Sequence, residues 1–270
     1  MSIFSLEEAL ETARAAVDAA SVAALAHFAA SIAVEKKPDR SPVTRADKEA
    51  EAAILRVIRS RYPTHAVLAE ETGAHAGDAD FRWIVDPLDG TRGFARGGSF
   101  WGPLVALEHH GEIVVGAMAL PALGEKYWAA SGMGAFRDGV RLKVSGVDSL
   151  SDSTLSLGQV TALLSEERGQ AILALMQTCD SVRAFGDLAS VAMLLNGRAD
   201  LWMETSVQPW DLAPLKVLVE EAGGRFTDLS GKATVHSGNA LATNGILHEE
   251  VLRRLSQSAK EENRLGKSAF

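Results

Sequence analysis

The sequence predicts a layered protein of the α/β or α+β kind, with helices packed on sheets in both halves of the chain. Three features carry that expectation: a long amphipathic helix at the start, a block of short apolar strands between residues 65 and 137, and an alternation of strands and helices after about Val147.

The first helix is read from Leu6, Leu10, Ala13, Val17 and Ala20, which recur at helical spacing, and it is expected to end near the Lys36-Lys37-Pro38 break. Ser41 to Val43 reads as a turn or extended piece, with Thr44 as the cap of a second helix that buries Ala50, Ile54, Val57 and Ile58. Tyr62-Pro63 stops that helix near Arg61. Strands are expected at His65–Ala69 and Phe81–Val85. A hairpin should turn at His109 to Glu112 between Phe100 and Leu120, with further strands at Lys126–Ala130 and Gly134–Arg137. Beyond Val147 the expected order is strand 154–157, helix 165–177, strand 181–184, helix 187–196, strand 199–203 and helix 211–222. Strand Ala240–Thr243 and a helix from about Leu247 follow.

This pattern divides the chain near residue 146. Residues 1–146 form an N-terminal α+β domain that carries most of the candidate ligands. Residues 147–256 form an α/β domain with Asp211 and the candidate substrate contacts, and 257–270 form a polar, loose tail. The length of 270 residues suffices for both cores. A formal net charge of −8 with no basic stripe argues against nucleic acid as a partner. The single cysteine, Cys179, excludes an internal disulfide and suits a reducing cytoplasm. The opening Met1-Ser2-Ile3-Phe4 lacks the pattern of a signal peptide. The Ala-rich stretch 13–34 is interrupted by Arg14, Asp18, Ser21, His27 and Ser31, so it reads as a buried helix and not as a membrane span.

The chemistry is carried by acids. Asp86-Pro87-Leu88-Asp89-Gly90-Thr91 follows the apolar strand directly, where α/β proteins place ligands. Pro87 fixes a backbone angle that lets Asp86 and Asp89 turn toward one point, and Gly90 and Thr91 offer N–H groups at a helix start. Taken alone, Asp, Pro and Gly are also ordinary turn residues. Glu70-Glu71 ends another strand and Asp211 opens a helix, where an Asp commonly serves as a cap. Together Glu70, Asp86, Asp89 and Asp211 hold four negative charges, which would repel a phosphate ester. Two Mg²⁺ would neutralise the cluster and three would make it positive, turning a phosphate repeller into a phosphate binder. Other chemistries fit poorly. Trp101 stands where a nucleophile elbow after Ser99 needs its last glycine, Arg137 breaks a dinucleotide loop at Gly132, and no histidine pair has zinc-ligand spacing. Asp86 and Asp89 also lie one residue further apart than the two acids of aspartyl-phosphate phosphatases.

These segments resemble the inositol monophosphatase family, along nearly the whole chain from Lys37–Asp47 to Ala240–Gly245. The core signatures are Glu70-Glu71, Asp86 to Thr91, and Trp210 to Ala213 with Glu221 to Gly224 following. The resemblance implies a five-layer αβαβα sandwich, a homodimer, Mg²⁺ or Mn²⁺ as cofactor, frequent lithium sensitivity, and a small phosphorylated metabolite as partner. It implies that Glu70, Asp86, Asp89, Asp211 and the Leu88 carbonyl bind two or three metal ions. Asp47, Thr91 and Glu70 would be catalytic, with Thr91 and Asp47 orienting the attacking water and Gly90 and Thr91 holding phosphate. Ala69, Leu88 and Pro214 depart from the family's usual residues. Leu88 contributes only its carbonyl, and Pro214 is expected in the first turn of its helix.

Within the family the chain most resembles the histidinol-phosphate phosphatases, through Pro121–Gly124, Trp128 to Ala130, Arg183–Asp187 and Gly238–Gly245. Arg183, Asp187 and Glu204 are then the expected substrate contacts, the two acids drawing the ester's cationic end. Hydrolysis of histidinol phosphate in histidine biosynthesis is thus the first reading. The alternatives are the same chemistry on inositol monophosphate or a nucleotide 3′-phosphate, and a non-catalytic phosphate-binding protein.

Overall fold

The computed structural model describes residues 4–28, 35–36, 42–165 and 167–256. The Lys37-Pro38 break and the tail from Gln257 lie outside the described residues. The elements run α1 (Leu6–Phe28), β1 (Glu35–Lys36), β2 (Pro42–Val43), α2 (Arg45–Arg61), β3 (His65–Ala69), β4 (Gly73–His75), β5 (Asp78–Asp89), α3 (Thr91–Phe94), β6 (Gly102–His109), β7 (Glu112–Leu120), β8 (Glu125–Ala130), β9 (Gly134–Arg137) and β10 (Val140–Arg141). They continue with β11 (Thr154–Leu157), α4 (Val160–Ser165), α5 (Gly169–Thr178), β12 (Ser181–Arg183), α6 (Asp187–Leu195), β13 (Leu201–Thr205), α7 (Pro209–Glu221), β14 (Arg225–Thr227), β15 (Asn239–Thr243) and α8 (residues 248–256).

Two compact units result, Met1–Leu142 with Pro209–Glu221, and Lys143–Gln208 with Ala222–Phe270. One element differs from a simple division near residue 146: α7, with Asp211, belongs to the first unit. The cause is packing against the first unit's sheet. Gly116 on β7 has no side chain, and a Cβ there would collide with Val217 and with the backbone of Pro214 on α7. Pro214 also lies in the second turn of α7, not the first, because the helix begins at Pro209. Lacking an N–H, it leaves one carbonyl of the first turn without its helical donor.

The first unit is an eight-stranded sheet in the order β10-β9-β8-β7-β6-β5-β3-β4, parallel only between β3 and β5. The hairpin β6–β7 turns through His110 and Gly111, both with positive φ, as a tight two-residue turn requires. Val67, Trp83, Val85, Val105, Leu107, Val115 and Ala117 form one face of the sheet, covered by Ala9, Ala13, Ala16 and Val17 of α1 and by Ile54 and Ile58 of α2. Side chains alternate along strands, so Gly116, facing α7, marks the opposite face. Helix α1 is over before Glu35, short of the expected Lys36, since Glu35–Lys36 is extended and pairs with Pro42–Val43.

The second unit orders its strands β12-β11-β13-β15-β14; β12, β11 and β13 are parallel, and β15 runs antiparallel to both its neighbours. Leu155, Leu157, Leu201, Met203 and Leu241 form a core with Leu163 of α4, Ile172 and Leu175 of α5, and Val251 and Leu255 of α8. Ser156 points the other way and bonds Ser190 of α6 at 3.0 Å. The helix expected at 165–177 is α5, which starts four residues later, and a further short helix, α4, precedes it. Each unit layers helices on both faces of a mixed sheet, which is the α+β sandwich of the sequence reading. Among the described residues, no helix is long and apolar enough to cross a membrane.

Candidate active site

Register decides which acids meet. Val67 and Ala69 on β3, and Trp83 and Val85 on β5, point into the core beneath α1 and α2. Alternation therefore sends Glu70 and Asp86 toward the opposite face, where α7 lies. Ala69 pairs with Val85, and the Glu70 N–H donates to the Val85 carbonyl at 3.1 Å, so the two acids leave the sheet side by side.

Asp89 needs a different explanation. On an unbroken strand a step of three residues would put it on the face opposite Asp86. Pro87 has no N–H to give the ladder, and β5 bulges: Asp86 pairs with Leu104 and Asp89 with Gly102, so three steps on β5 match two on β6. The bulge returns Asp89 to the face of Asp86. Leu88 sends its fully buried side chain into a cluster with Ala24, Ala46, Phe94 and Trp101. Its N–H closes a turn by donating to Asp86 Oδ1 at 2.8 Å. Asp211 sits inside the first turn of α7, and ligand oxygens of Asp86, Asp89 and Asp211 all lie within 4.8 Å of one another.

Burial, and then the charges of Glu70, Asp89 and Asp211, push the Asp86 carboxyl well above its usual range; Glu70 also hydrogen-bonds to it. Two carboxyl groups share a hydrogen bond only when one holds a proton. The charged groups that act on Asp86, namely Glu70, Asp89 and Asp211, are all acidic residues. A fold that gathers acids in this way, with oxygen donors and no histidine or cysteine, fits a hard divalent cation.

Beside the cluster, Gly90 takes a left-handed φ of 82° to cap the short helix α3, a conformation glycine adopts without strain. Thr91 follows, and its hydroxyl lies 3.0 Å from Asp47 Oδ1 and 3.1 Å from the Leu88 carbonyl. Asp47 is wholly buried, and its other oxygen accepts from the Thr44 N–H at 2.8 Å and the Thr44 hydroxyl at 2.6 Å, within the capping box of α2.

Glu51 is a residue that the sequence reading missed. Buried on α2, it accepts from the Glu71 N–H at 2.8 Å and the Thr72 N–H at 3.0 Å, fixing the turn that follows Glu70. A signal existed in the sequence, because Asp47 and Glu51 stand four apart on a face bordered by Ala46, Ala50 and Ile54, an unfavourable pairing of like charges without a further purpose.

The three substrate candidates lie in the second unit. Arg183 is exposed at the end of β12 and donates to the Val182 carbonyl at 2.9 Å. Asp187 is the first residue of α6, with Gly186 as the cap, so its carboxyl is not the capping group. Although Asp187 reaches solvent, the chain packed around it raises its carboxyl. Glu204 is half-buried on β13, with its carboxylate against Gly158.

An acid cluster suited to a cation, next to a threonine hydroxyl held by a buried aspartate, belongs to a class of hydrolases that act on phosphate monoesters, and the relatives of this chain agree. A profile of the inositol monophosphatase family matches residues 5–260. The chain is 41% identical over 228 residues to the histidinol-phosphatase of Mycobacterium tuberculosis, covering 83% of this chain and 88% of that one. It is 39% identical over 258 residues to the histidinol-phosphatase of Streptomyces coelicolor, covering 92% and 97%. The solved structure of the extragenic suppressor protein suhB of Bartonella henselae superposes with a TM-score of 0.84 at 29% identity, covering 92% of this chain and 98% of that one. The protein is a phosphoric monoester hydrolase and belongs to the inositol monophosphatase family, whose members are generally metal-dependent and act on small phosphorylated substrates.

Proposed function

We propose that this protein hydrolyses histidinol phosphate to histidinol and phosphate with the help of Mg²⁺, as a step of histidine biosynthesis. Support for the substrate comes from the histidinol-phosphatase relatives. The observation that carries the chemistry is the meeting of Asp86, Asp89 and Asp211 oxygens within 4.8 Å.

Glu70, Asp86, Asp89, Asp211 and the Leu88 carbonyl would hold the cation. Bound Mg²⁺ supplies Lewis-acid stabilisation of phosphoryl and leaving oxygens and makes water a better nucleophile. The chain's own residues do the rest. A water placed against Thr91 Oγ1 donates its proton there, because the Thr91 proton is directed to Asp47 Oδ1. Thr44 keeps Asp47 from turning away by occupying its second oxygen. Backbone N–H groups at Gly90 and Thr91 suit phosphate. In the second unit the carboxylates of Asp187 and Glu204 suit an ammonium through charge-assisted bonds, with Arg183, at the end of β12, as the third candidate contact.

The same reading makes the protein a cytoplasmic homodimer, in keeping with its one unpaired cysteine, Cys179. Phosphate release from a panel of esters, with Mg²⁺ and with excess chelator, tests the proposal. Preference for inositol phosphate would change the substrate, and absence of turnover on every ester would favour a binding protein.

A further inference from the structure

In the second unit β12, β11 and β13 lie side by side and parallel, so their C-terminal ends share one edge of the sheet. Such edges are where open α/β sheets hold ligands. Within four residues of each of these ends the chain carries a non-glycine residue in the left-handed region: Gln159 after β11 with φ 42°, Asp187 at the start of α6 after β12 with φ 41°, and Ser206 after β13 with φ 58°. Conformations of this kind persist only where the surroundings impose them.

Gly158 is the first residue past β11, and its N–H donates to the Met203 carbonyl of β13 at 3.0 Å. Its φ lies outside the left-handed region, so the backbone does not call for glycine there. Space does. A Cβ at 158 would overlap the Glu204 carboxylate, and the three nearest atoms all belong to that one group. No backbone atom stands among these three, so what a methyl at 158 meets first is the end of the Glu204 side chain.

We propose that Gly158 is a positioning residue for substrate selectivity, whose missing side chain seats the Glu204 carboxylate at this strand edge to receive a cationic substrate group. This rests on the histidinol-phosphate reading for the role of Glu204. Gly158 itself touches no substrate in the proposal and acts only through that carboxylate.

The test compares Gly158→Ala, Glu204→Gln and the double variant on histidinol phosphate and on glycerol phosphate, a neutral polyol ester. Gly158→Ala is expected to raise KM for histidinol phosphate about tenfold, the worth of one charge-assisted hydrogen bond, while kcat changes less than about twofold. Selectivity for histidinol phosphate over glycerol phosphate should fall with it. In the Glu204→Gln background the alanine should add nothing, as two changes acting through one group do. A KM shift that persists in that background, or its absence when Glu204→Gln alone shows one, overturns the role of Gly158 and leaves the substrate reading standing. If Glu204→Gln leaves the selectivity unchanged, the histidinol-phosphate contact fails and the proposal with it. Should Gly158→Ala lower the melting temperature, adding Glu204→Ala restores it when the carboxylate is the obstacle; a loss that remains overturns the proposal.

Discussion

The Thr91 hydroxyl stands 3.0 Å from Asp47 Oδ1, a contact between residues 44 apart in the chain and on different elements. Removing the hydroxyl leaves the acid cluster intact but takes away the atom that would receive the proton of water. Thr91→Ala should lower kcat by about 10²–10⁴ with little change in KM. Asp47→Asn should act in the same direction. If its amide oxygen serves the Thr44 donors, its NH2 group faces Thr91 Oγ1 as a donor, so residue 47 no longer accepts the Thr91 proton. Steady-state kinetics check both, and a change in KM alone would remove the assigned role.

A second expectation separates metal binding from folding. Asp86→Asn should bring phosphate release near background, because it takes one anionic ligand from a hard-cation site. Without metal, the same variant should melt at a higher temperature than the parent protein. It relieves a buried carboxyl from the charges of Glu70, Asp89 and Asp211, while its amide oxygen still accepts from the Leu88 N–H. Thermal melts in excess chelator, set beside activity in Mg²⁺, would show this crossing, and full activity in chelator would contradict the metal requirement.

Glu51→Ala removes the acceptor of two backbone donors, Glu71 and Thr72. Losing the shared acceptor of two partly exposed donors costs roughly 1 kcal/mol, and loosening the turn frees Glu70 from its place beside Asp86. The variant should unfold at lower denaturant and need more Mg²⁺ for half-maximal rate. An unchanged Mg²⁺ requirement would make Glu51 a residue of the fold alone.

Much of this site was legible in the sequence because its acids end apolar strands. The apolar runs before Glu70 and Asp86 draw attention to those acids, although β5 itself runs on through Asp89. What the sequence did not contain was register. The odd step from Asp86 to Asp89 becomes intelligible only with the bulge at Pro87 and Leu88, which is a property of the pairing with β6. Asp211 stands out in the sequence, yet chain order carries no sign that α7, which begins 68 residues after Arg141, packs against Gly116. Glu51 escaped because a charged residue within a helix looks solvated until its partners are known. The three residues of β14 were too short to show any period.

For the substrate, Asp187→Asn is the discriminating change. Asparagine tolerates the left-handed φ of 41° that Asp187 adopts, and the cap of α6 is Gly186, so the backbone should survive while the charge goes. KM for histidinol phosphate should rise about tenfold, more than for glycerol phosphate. Equal changes on the two esters would make Asp187 structural.

Acid stability depends on His248. It is fully buried at the start of α8, with Nε2 3.0 Å from Thr227 Oγ1 and Nδ1 3.0 Å from Thr243 Oγ1. The Thr227 hydroxyl gives its proton to the Asp228 carbonyl, so it must accept from Nε2–H. Thr243 Oγ1 accepts from the Gly245 N–H and is left to donate to Nδ1. That network holds the neutral ring. Burial, and next the charge of Arg225, lower the imidazole from 6.5 to about 4, against a smaller opposing effect of Glu249. Between those values the unfolded chain binds more protons than the folded one, so stability rises with pH. The contribution is whole above 6.5 and is lost as pH falls from 6.5 through about 4, amounting to roughly 3 kcal/mol when complete. His248→Gln forfeits packing and hydrogen bonds at neutral pH and is less stable there. It has no buried ring to protonate, however, so its deficit should shrink on acidification. Denaturant unfolding of both proteins from about pH 7.5 to about pH 4.5 measures the gap. A gap that stays constant across that range would show that His248 does not govern the acid limb.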